Sequence, residues 1–329
     1  MALLKVEGLK TYFRTLSGYV KAVDGVSFEV ERGMATGLAG ESGCGKTTVA
    51  LSILKILPFN GEILGGRILF KGRDLIKLSE EEIREEIRWK EISIVFQGAM
   101  NALNPVYTVA DQMVEAIMTH EPNITKREAL ERCEKLMELV GIEPSRINNY
   151  PHEYSGGMRQ RAMIAMALAC NPSILIADEP STALDVIVAA QVLKLLKELK
   201  TRLNLGMILI THDLSIIAEI CEKTAIMYAG KIVEYGDVVT IFQEPFHPYT
   251  QGLIAAFPHI TAKRQRLISI PGAPPDLLTP PLGCRFHPRC KYAKEVCKTE
   301  EPAYVEVSKG HYVACHLLDK VVAESAGKS

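Results

Sequence analysis

The feature that most constrains the fold of this chain is a glycine-rich phosphate loop, Gly40-Glu41-Ser42-Gly43-Cys44-Gly45-Lys46-Thr47. The run from Met34 to Ala39 before it is short and mostly apolar, as in a buried strand, and Thr48 to Leu57 after it has helical spacing. A glycine-rich turn between a strand and a helix binds polyphosphate, because its backbone N–H groups and the positive helix end face the anion. We expect Lys46 to reach the β- and γ-phosphates and Thr47 to ligate Mg²⁺. The loop therefore predicts an α/β fold that binds a nucleoside triphosphate.

A second motif is an apolar run that ends in two carboxylates, Ile174-Leu175-Ile176-Ala177-Asp178-Glu179. The pattern predicts a buried strand with acidic groups at its carboxyl end. Asp178 is placed to hold a metal ion through its water shell, and Glu179 to polarise the water that attacks the γ-phosphate. The pair predicts hydrolysis of the bound nucleotide.

A third motif, Tyr154-Ser155-Gly156-Gly157-Met158, leads into a run from Met158 to Ala169 that we predict to be a helix. Paired glycines at this place expose backbone donors at the positive end of the helix. Taken alone, such a segment would be a flexible helix cap. Because it occurs in one chain with the other two motifs, we favour a role in contacting the nucleotide.

The order of the three motifs resembles that of an ATP-binding cassette (ABC) ATPase. The resemblance implies a RecA-like P-loop core over residues 1–96 and 159–243, and a helical subdomain over 97–158 that receives a helix from a transmembrane partner. It also implies a head-to-tail dimer, in which Ser155, Gly156 and Gly157 cap the γ-phosphate held by the partner subunit. ATP and Mg²⁺ are the ligands that it leads us to expect.

The resemblance gives roles to three further residues. Gln97 matches the glutamine that touches Mg²⁺ and relays the nucleotide state to the membrane subunits. Asp185 matches the aspartate that crosses the dimer interface, and His212 matches the histidine that contacts the γ-phosphate and orients the attacking water.

The aromatic residue that stacks on adenine in this family matches Phe13, with Tyr12 and Tyr19 as rivals. Glu179, His212 and Gln97 are then the expected catalytic residues, and Thr47, Gln97 and Asp178 the expected Mg²⁺ ligands. The full set expected to contact nucleotide is Phe13, Tyr19, Gly40, Glu41, Ser42, Gly43, Cys44, Gly45, Lys46, Thr47, Thr48, Gln97, Ser155, Gly156, Gly157, Asp178 and Asp185.

The C-terminal extension over residues 244–329 indicates which branch of the family the chain resembles. Four segments resemble those of oligopeptide and dipeptide importer ATPases. Three lie in the extension, His247-Pro248-Tyr249-Thr250, Leu253 to Pro258 and Gly283-Cys284-Arg285-Phe286-His287-Pro288-Arg289-Cys290, and the fourth, Phe96 to Pro105, lies earlier in the chain. The resemblance implies as partners a second, similar but distinct ATPase subunit (or an identical one), two transmembrane permease subunits, and an extracellular binding protein that selects the cargo. A nickel-type importer of the same branch is one alternative. A non-transport ABC ATPase, such as an iron–sulfur assembly ATPase, is another.

Composition agrees with a large α/β core. A hydrophobic content of 47% and a formal charge of −1 argue against disorder and against nonspecific binding of nucleic acid, which needs a strong positive field. No apolar run of about 18 residues occurs, and the N-terminus lacks the pattern of a signal peptide. We therefore expect attachment to the cytoplasmic face of the membrane through other subunits.

Four of the eight cysteines lie in the last quarter of the chain: Cys284, Cys290, Cys297 and Cys315. In a cytosolic protein such a group suggests metal rather than disulfides. The spacing lacks the close Cys-x-x-Cys pair of most zinc sites, so we favour a [4Fe–4S] cluster over Zn²⁺ or free thiols. His287, His311 and His316 are possible substitute ligands.

Helix and strand patterns complete the sequence-based picture. Short strands are expected at Leu3 to Val6 and Val26 to Val30, and a charged helix at Ser79 to Glu91 with a capping box. A second capping box at Thr125 starts a helix that ends at Gly141. Alternating strands and helices after residue 158 predict a mainly parallel sheet.

Overall fold

The computed structural model describes residues 2–98, 102–256 and 270–318. Its strands are β1 Ala2–Thr15, β2 Gly18–Glu31, β3 Ala35–Ala39, β4 Gly61–Phe70, β5 Arg73–Asp74, β6 Ile92–Val95, β7 Ile174–Asp178, β8 Gly206–Thr211, β9 Lys223–Tyr228, β10 Lys231–Asp237, β11 Tyr304–Ser308 and β12 His311–Ala314. Its helices are α1 Lys46–Ile53, α2 Glu80–Glu82, α3 Val109–His120, α4 Lys126–Leu139, α5 Gly156–Ala167, α6 Val186–Arg202, α7 Leu214–Ile220, α8 Val238–Gln243, α9 Pro248–Ala255 and α10 Val296–Thr299.

Two segments highlighted in the sequence lie partly outside the described residues. These are Ala99 to Asn101 of the Phe96 to Pro105 segment, and Phe257 and Pro258 at the end of the apolar run that starts at Leu253. The alternation of strands and helices, with both parallel and antiparallel pairs, confirms the α/β class.

The chain divides into two compact units. We call the first the signature unit, Val30–Ala35 with Lys77–Ile210, because it contains the Ser-Gly-Gly motif. We call the second the phosphate-loop unit, Ala2–Glu29, Thr36–Ile76 and the chain from Thr211 onward. Each is described by itself.

The phosphate-loop unit contains two sets of strands. One is a sheet in the order β2-β1-β4-β5, in which β4 runs antiparallel to β1 with Leu4 opposite Phe70. The other has the order β11-β12-β10-β9-β3, where β3 runs parallel to β9 and the remaining pairs are antiparallel. All five residues of β3 are buried, so the strand before the phosphate loop is a core strand. The strands expected at Leu3 to Val6 and Val26 to Val30 are present but much longer.

The signature unit is built on three parallel strands in the order β8-β7-β6, with every residue of β7 and β8 buried. Helices α3 to α6 belong to the same unit. Thr125 caps α4 by accepting from the backbone N–H of Glu128, whose carboxylate accepts from Thr125 in return, which confirms the capping box. Because such caps depend on residues three apart, they can be recognised without tertiary information.

The charged helix expected at Ser79 to Glu91 is wrong in length. Its capping box at Ser79 is present, but α2 gives way to a π turn at Ile83–Ile87, and Arg88 is extended. Ile83 and Ile87 are both buried, and Trp89 turns the chain with its N–H bonded to the carbonyl of Ile92. The helix therefore ends at Ile87, because the chain turns at Arg88 and Trp89 to enter β6.

The C-terminal extension contains a feature that the sequence did not predict. Strand β12 pairs with β10, placing Tyr235 opposite Tyr312, and β11 pairs in turn with β12. A short segment with few apolar residues is thus joined to an existing sheet by added strands.

Candidate nucleotide-binding site

The phosphate loop runs from the end of β3 to the start of α1, as its sequence predicts. Gly40 has φ of 148° and Gly45 has φ of 104°, a region that side chains rarely adopt. A Cβ on Gly40 would lie 2.1 Å from the carbonyl oxygen of Met227, and one on Gly45 would lie 2.1 Å from that of Ala22. Both glycines are therefore required by backbone conformation and by close approach of neighbouring backbone.

Lys46 is buried within its own loop. Its Nζ donates to the carbonyl oxygens of Gly40, at 2.8 Å, and Glu41, at 3.0 Å. Thr47 and Thr48 follow it in the first turn of α1. The loop thus presents a helix N-terminus and a lysine held by loop carbonyls, which is an arrangement suited to a polyphosphate.

The thiol of Cys44 is buried inside the loop. Burial raises its pKa, and this outweighs the opposing effect of the Lys46 ammonium. Cys44 is therefore a small packed side chain and not a reactive thiolate.

The three aromatic candidates for adenine stacking lie in different surroundings. The ring of Phe13 covers Gly61, whose hypothetical Cβ would be 2.9 Å from the ring. Tyr12 donates its hydroxyl hydrogen to Asp24 at 2.8 Å, and burial raises its pKa to about 12. Tyr19 is 41% exposed and its ring centroid lies 6.3 Å from that of Tyr12. Because Tyr12 is engaged with Asp24, Phe13 and Tyr19 stay the better candidates.

His212, also in the phosphate-loop unit, lies just after β8 and is exposed. The next residue, Asp213, caps α7 by accepting from the backbone N–H of Ser215 at 2.8 Å. This cap fixes the turn that carries His212.

Glu179 is the best-defined catalytic candidate in the signature unit. Its Oε2 accepts from Nε2 of Gln97 at 3.1 Å and from the hydroxyl of Thr182 at 2.9 Å. Its backbone has φ of 46°, uncommon for a residue with a side chain, and its N–H bonds the carbonyl of Ile210. Gln97 and Glu179 were both predicted as catalytic, and the structure brings them together although 82 positions separate them.

Asp178 is the last residue of β7 and is 1% exposed. Thr182, by contrast, was not singled out in the sequence. Its position three residues after Glu179, in a turn, is the only local signal that it would orient that carboxylate.

The Ser-Gly-Gly motif lies where two helices begin side by side. Ser155 is the N-cap of α5 and accepts from the N–H of Met158 at 3.3 Å, while Asp185 is the N-cap of α6. A Cβ on Gly157 would lie 2.4 Å from the Val188 side chain of α6, so glycine allows the two helix ends to approach. The structure thus brings Ser155, Gly157 and Asp185 together on one unit.

The cysteines of the C-terminal extension lie close enough to influence one another. Burial raises the pKa of Cys315 to about 11, and the neighbouring Cys284, Cys290 and Cys297 add to the shift. Burial likewise raises the pKa of Cys284 and Cys290. The four predicted positions therefore share one neighbourhood.

These cysteines do not form a ready metal site. Across residues 2–98, 102–256 and 270–318, no three side chains of His, Cys, Asp or Glu are arranged so that they could hold a metal ion. In the same neighbourhood, the sulfur of Cys297 accepts a hydrogen bond from the backbone N–H of Lys294 at 3.4 Å. The expected [4Fe–4S] cluster, and Zn²⁺ as its alternative, is thus not supported by the arrangement found.

The three candidate substitute histidines have structural contacts instead. Nε2 of His311 lies 2.9 Å from the buried carboxylate of Glu234. Nδ1 of His287 lies 2.9 Å from the carbonyl of Cys284, and Nε2 of His316 lies 2.9 Å from that of Glu300. Each of the three imidazole rings therefore has a local polar partner.

Two family models match the chain. The model described as ABC transporter covers residues 23–182, and the one described as oligopeptide/dipeptide transporter, C-terminal region, covers residues 233–297. In the described part of the chain, no helix has the length and apolar character needed to cross a bilayer.

Relatives match over almost the full length. The dipeptide transport ATP-binding protein DppD of Caldanaerobacter subterraneus subsp. tengcongensis is 43% identical, over 97% of this chain and 98% of its own. The oligopeptide transport ATP-binding protein OppD of Escherichia coli is 45% identical, over 95% of this chain and 93% of its own.

Among solved structures, the cassette CbiO1 of Clostridium perfringens aligns with a TM-score of 0.64 and 29% identity, over 74% of this chain and 91% of its own. The fold of the P-loop ABC cassette is thereby confirmed. The chain belongs to the ABC transporter ATPase family, in the branch that carries the oligopeptide/dipeptide transporter C-terminal region.

Proposed function

We propose that this chain is the ATPase subunit of a di- or oligopeptide importer, and that it hydrolyses ATP in a head-to-tail dimer at the cytoplasmic face of the membrane. The observation that carries the proposal is the similarity, at 43% and 45% identity over almost the full length, to ATP-binding proteins named for dipeptide and oligopeptide transport. The similarity includes the C-terminal region. These names favour peptides over the nickel alternative and over a non-transport ATPase.

In the proposed reaction, Lys46 and the backbone of the phosphate loop bind the triphosphate, and Phe13 stacks on the adenine. Thr47, Gln97 and Asp178 would hold Mg²⁺, which when bound neutralises charge on the phosphate oxygens. Hydroxyl, amide and carboxylate oxygens fit this role, because a hard cation prefers oxygen ligands.

Glu179 accepts a proton from the water that attacks the γ-phosphate, and His212 helps to orient that water. Two donors, Gln97 and Thr182, converge on the same oxygen of Glu179. A carboxylate held by two hydrogen bonds keeps one orientation, which favours in-line attack.

The dimer is supported by what is exposed around the Ser-Gly-Gly motif. Ser155 is exposed at the start of α5, and the first two residues of α6, Val186 and Ile187, are 86% and 73% exposed. Apolar side chains beside an exposed helix cap are typical of a surface that a partner covers. We propose that Ser155, Gly156, Gly157 and Asp185 act on the nucleotide of the second subunit.

A charge placed at Ser155 tests this role. We expect Ser155→Arg to lower ATP hydrolysis about 100-fold, comparable to the loss of one transition-state donor, while the isolated chain binds a fluorescent ATP analogue as tightly as the unmodified protein. Thr125→Arg is the matched control, because it removes the N-cap of α4 in the same unit. If Ser155→Arg impaired binding by the isolated chain, the serine would serve its own subunit and the dimer proposal would fail.

The transport proposal is tested by isolating the native complex through a tag on this chain. We expect two multi-span permeases and a second ATPase to copurify, and the complex reconstituted in vesicles with its binding protein to take up peptide when ATP is supplied. Uptake of Ni²⁺ but not of peptide would instead support the nickel alternative. Purification without any membrane subunit would contradict an importer.

We also propose that Cys284, Cys290, Cys297 and Cys315 bind a [4Fe–4S] cluster, or Zn²⁺ as the alternative. Their shared neighbourhood and the N–H of Lys294 directed at the Cys297 sulfur support this proposal, because backbone donors commonly stabilise ligating thiolates.

Metal analysis of protein purified without oxygen decides between these possibilities. We expect about four irons per chain and broad visible absorbance, both lost in Cys284→Ser. Cys170→Ser, at a buried cysteine of the signature unit, is the control. One zinc and no iron would support the alternative, and a metal-free protein would leave the cysteines as ordinary thiols.

A further inference from the structure

Glu41, the second residue of the phosphate loop, is held by the C-terminal extension. Its carboxylate accepts two hydrogen bonds from the guanidinium of Arg289, at 2.6 and 2.9 Å. Its backbone N–H donates to the hydroxyl of Tyr249 at 2.9 Å. All three residues belong to the phosphate-loop unit, so the contact lies within one compact body. Both the side chain and the backbone of one loop residue are therefore fixed from outside the loop.

Arg289 is itself held firmly. Its side chain is only 6% exposed, its Nε donates to the carbonyl of Pro271 at 2.8 Å, and its guanidinium lies 5.6 Å from the ring centroid of Tyr228. The hydrogen bonds with Glu41 are the main reason that the pKa of Arg289 is raised, so the guanidinium stays charged. A buried, two-pronged pair of this kind has a defined geometry and is costly to break from one side.

Tyr249 is fixed by a second set of contacts. It is fully buried at the start of α9, and its own N–H bonds Nδ1 of His247, the N-cap of that helix. Burial lowers the pKa of His247 to about 4, so the ring is neutral at ordinary pH and its nitrogen can accept. The buried carboxylate of Glu234 accepts from the N–H groups of Phe246 and His247. Tyr249, whose hydroxyl accepts from Glu41, is therefore held against β10 through His247 and Glu234.

Glu41 also contacts Lys46, the lysine of the phosphate loop. The carbonyl oxygen of Glu41 accepts from Nζ of Lys46 at 3.0 Å. A shift of the Glu41 peptide would therefore move one of the two carbonyls that hold the lysine. Arg289 and Tyr249 act on Lys46 through this single residue.

We propose that Arg289 is a positioning residue for ATP binding: through Glu41, the C-terminal extension keeps the phosphate loop in the shape that receives the triphosphate. This inference rests on the proposed function and adds to it, because it gives the extension a direct part in nucleotide affinity. The sequence offered no sign of it, since 248 positions separate the two residues.

The test measures ATP affinity and thermal stability together in the full-length protein. We expect Arg289→Ala to weaken binding of a fluorescent ATP analogue about 10-fold, the effect of roughly one charge-assisted hydrogen bond, and to raise the KM for ATP while kcat changes much less. Arg289→Lys should recover part of the affinity, because it restores the charge but only one of the two contacts.

Arg132 provides the matched control. It also precedes a cysteine and makes two hydrogen bonds with one carboxylate, that of Glu121 at 2.5 and 2.9 Å, but it belongs to the signature unit. Arg132→Ala should lower the melting temperature but leave ATP affinity within about twofold, since the two-pronged pair that it loses does not hold the phosphate loop. Metal content is measured in both variants, so that an effect through Cys290 would be seen.

A double variant tests the route through Glu41. If the two side chains act as one contact, Arg289→Ala combined with Glu41→Gln should bind ATP no more weakly than Arg289→Ala alone. Unchanged affinity in Arg289→Ala, additive losses, or an equal loss in Arg132→Ala would each overturn the inference. The proposed function does not depend on those results, whereas an unmodified protein that did not bind or hydrolyse ATP would contradict it.

Discussion

Replacing Glu179 by Gln is expected to lower ATP hydrolysis about 10²- to 10⁴-fold, the usual effect of losing a general base, while ATP binding is retained. Glutamine has nearly the same shape, so the hydroxyl of Thr182 can still donate to the residue at position 179, but an amide cannot take a proton from water. With hydrolysis blocked, ATP should hold the subunits together. The variant is therefore expected to form an ATP-dependent dimer.

Phosphate release under saturating ATP and size-exclusion chromatography with and without ATP measure these two effects. Glu91→Gln is a suitable control, because that carboxylate accepts from the hydroxyl of Ser173 in the same unit at 2.7 Å and has no proposed catalytic part. Normal turnover by Glu179→Gln would show that another group activates the water.

Gly45→Ala is expected to weaken ATP binding at least about 100-fold, because two independent penalties act on it. The backbone at Gly45 has φ of 104°, which alone costs an alanine about 1 kcal/mol or more. The added Cβ would also meet the backbone oxygen of Ala22 at 2.1 Å, and backbone cannot move aside as a flexible side chain can. The loop must therefore change shape at the residue before Lys46.

Titration with a fluorescent ATP analogue measures the loss, and circular dichroism checks that the fold is retained. Gly72→Ala separates the two penalties: Gly72 has φ of 82°, but nothing lies within 4 Å of its Cβ position, and it is in the turn between β4 and β5. It should lose about 1 kcal/mol of stability and bind ATP normally. Tight ATP binding by Gly45→Ala would falsify the assignment of this loop as the phosphate site.

Much of the site was predictable because its signals are local. The phosphate loop, the strand that ends at Asp178 and the caps at Ser155 and Asp185 depend on residues within a few positions of one another, where backbone geometry and sequence spacing are directly linked. The role expected of Gln97, contact with Mg²⁺, came from the family resemblance, whereas its hydrogen bond to Glu179 was found only in the structure.

The failures have an equally physical cause. The helix expected at Ser79 to Glu91 is cut short because the chain turns at Arg88 and Trp89 to enter β6, and the spacing of charges does not show where that strand begins. For the four cysteines, clustering and spacing in the sequence predicted a shared neighbourhood, which the structure has, but could not give the side-chain arrangement within it.

By itself, the sequence determined the nucleotide-binding chemistry of this protein, since a phosphate loop needs its glycines and its lysine at fixed local spacing. Only the tertiary structure decided which distant groups hold the site residues in place: Gln97 on Glu179, and Arg289 and Tyr249 on Glu41. Such pairings depend on how separate strands and helices meet. No periodicity or motif in a single chain records that information.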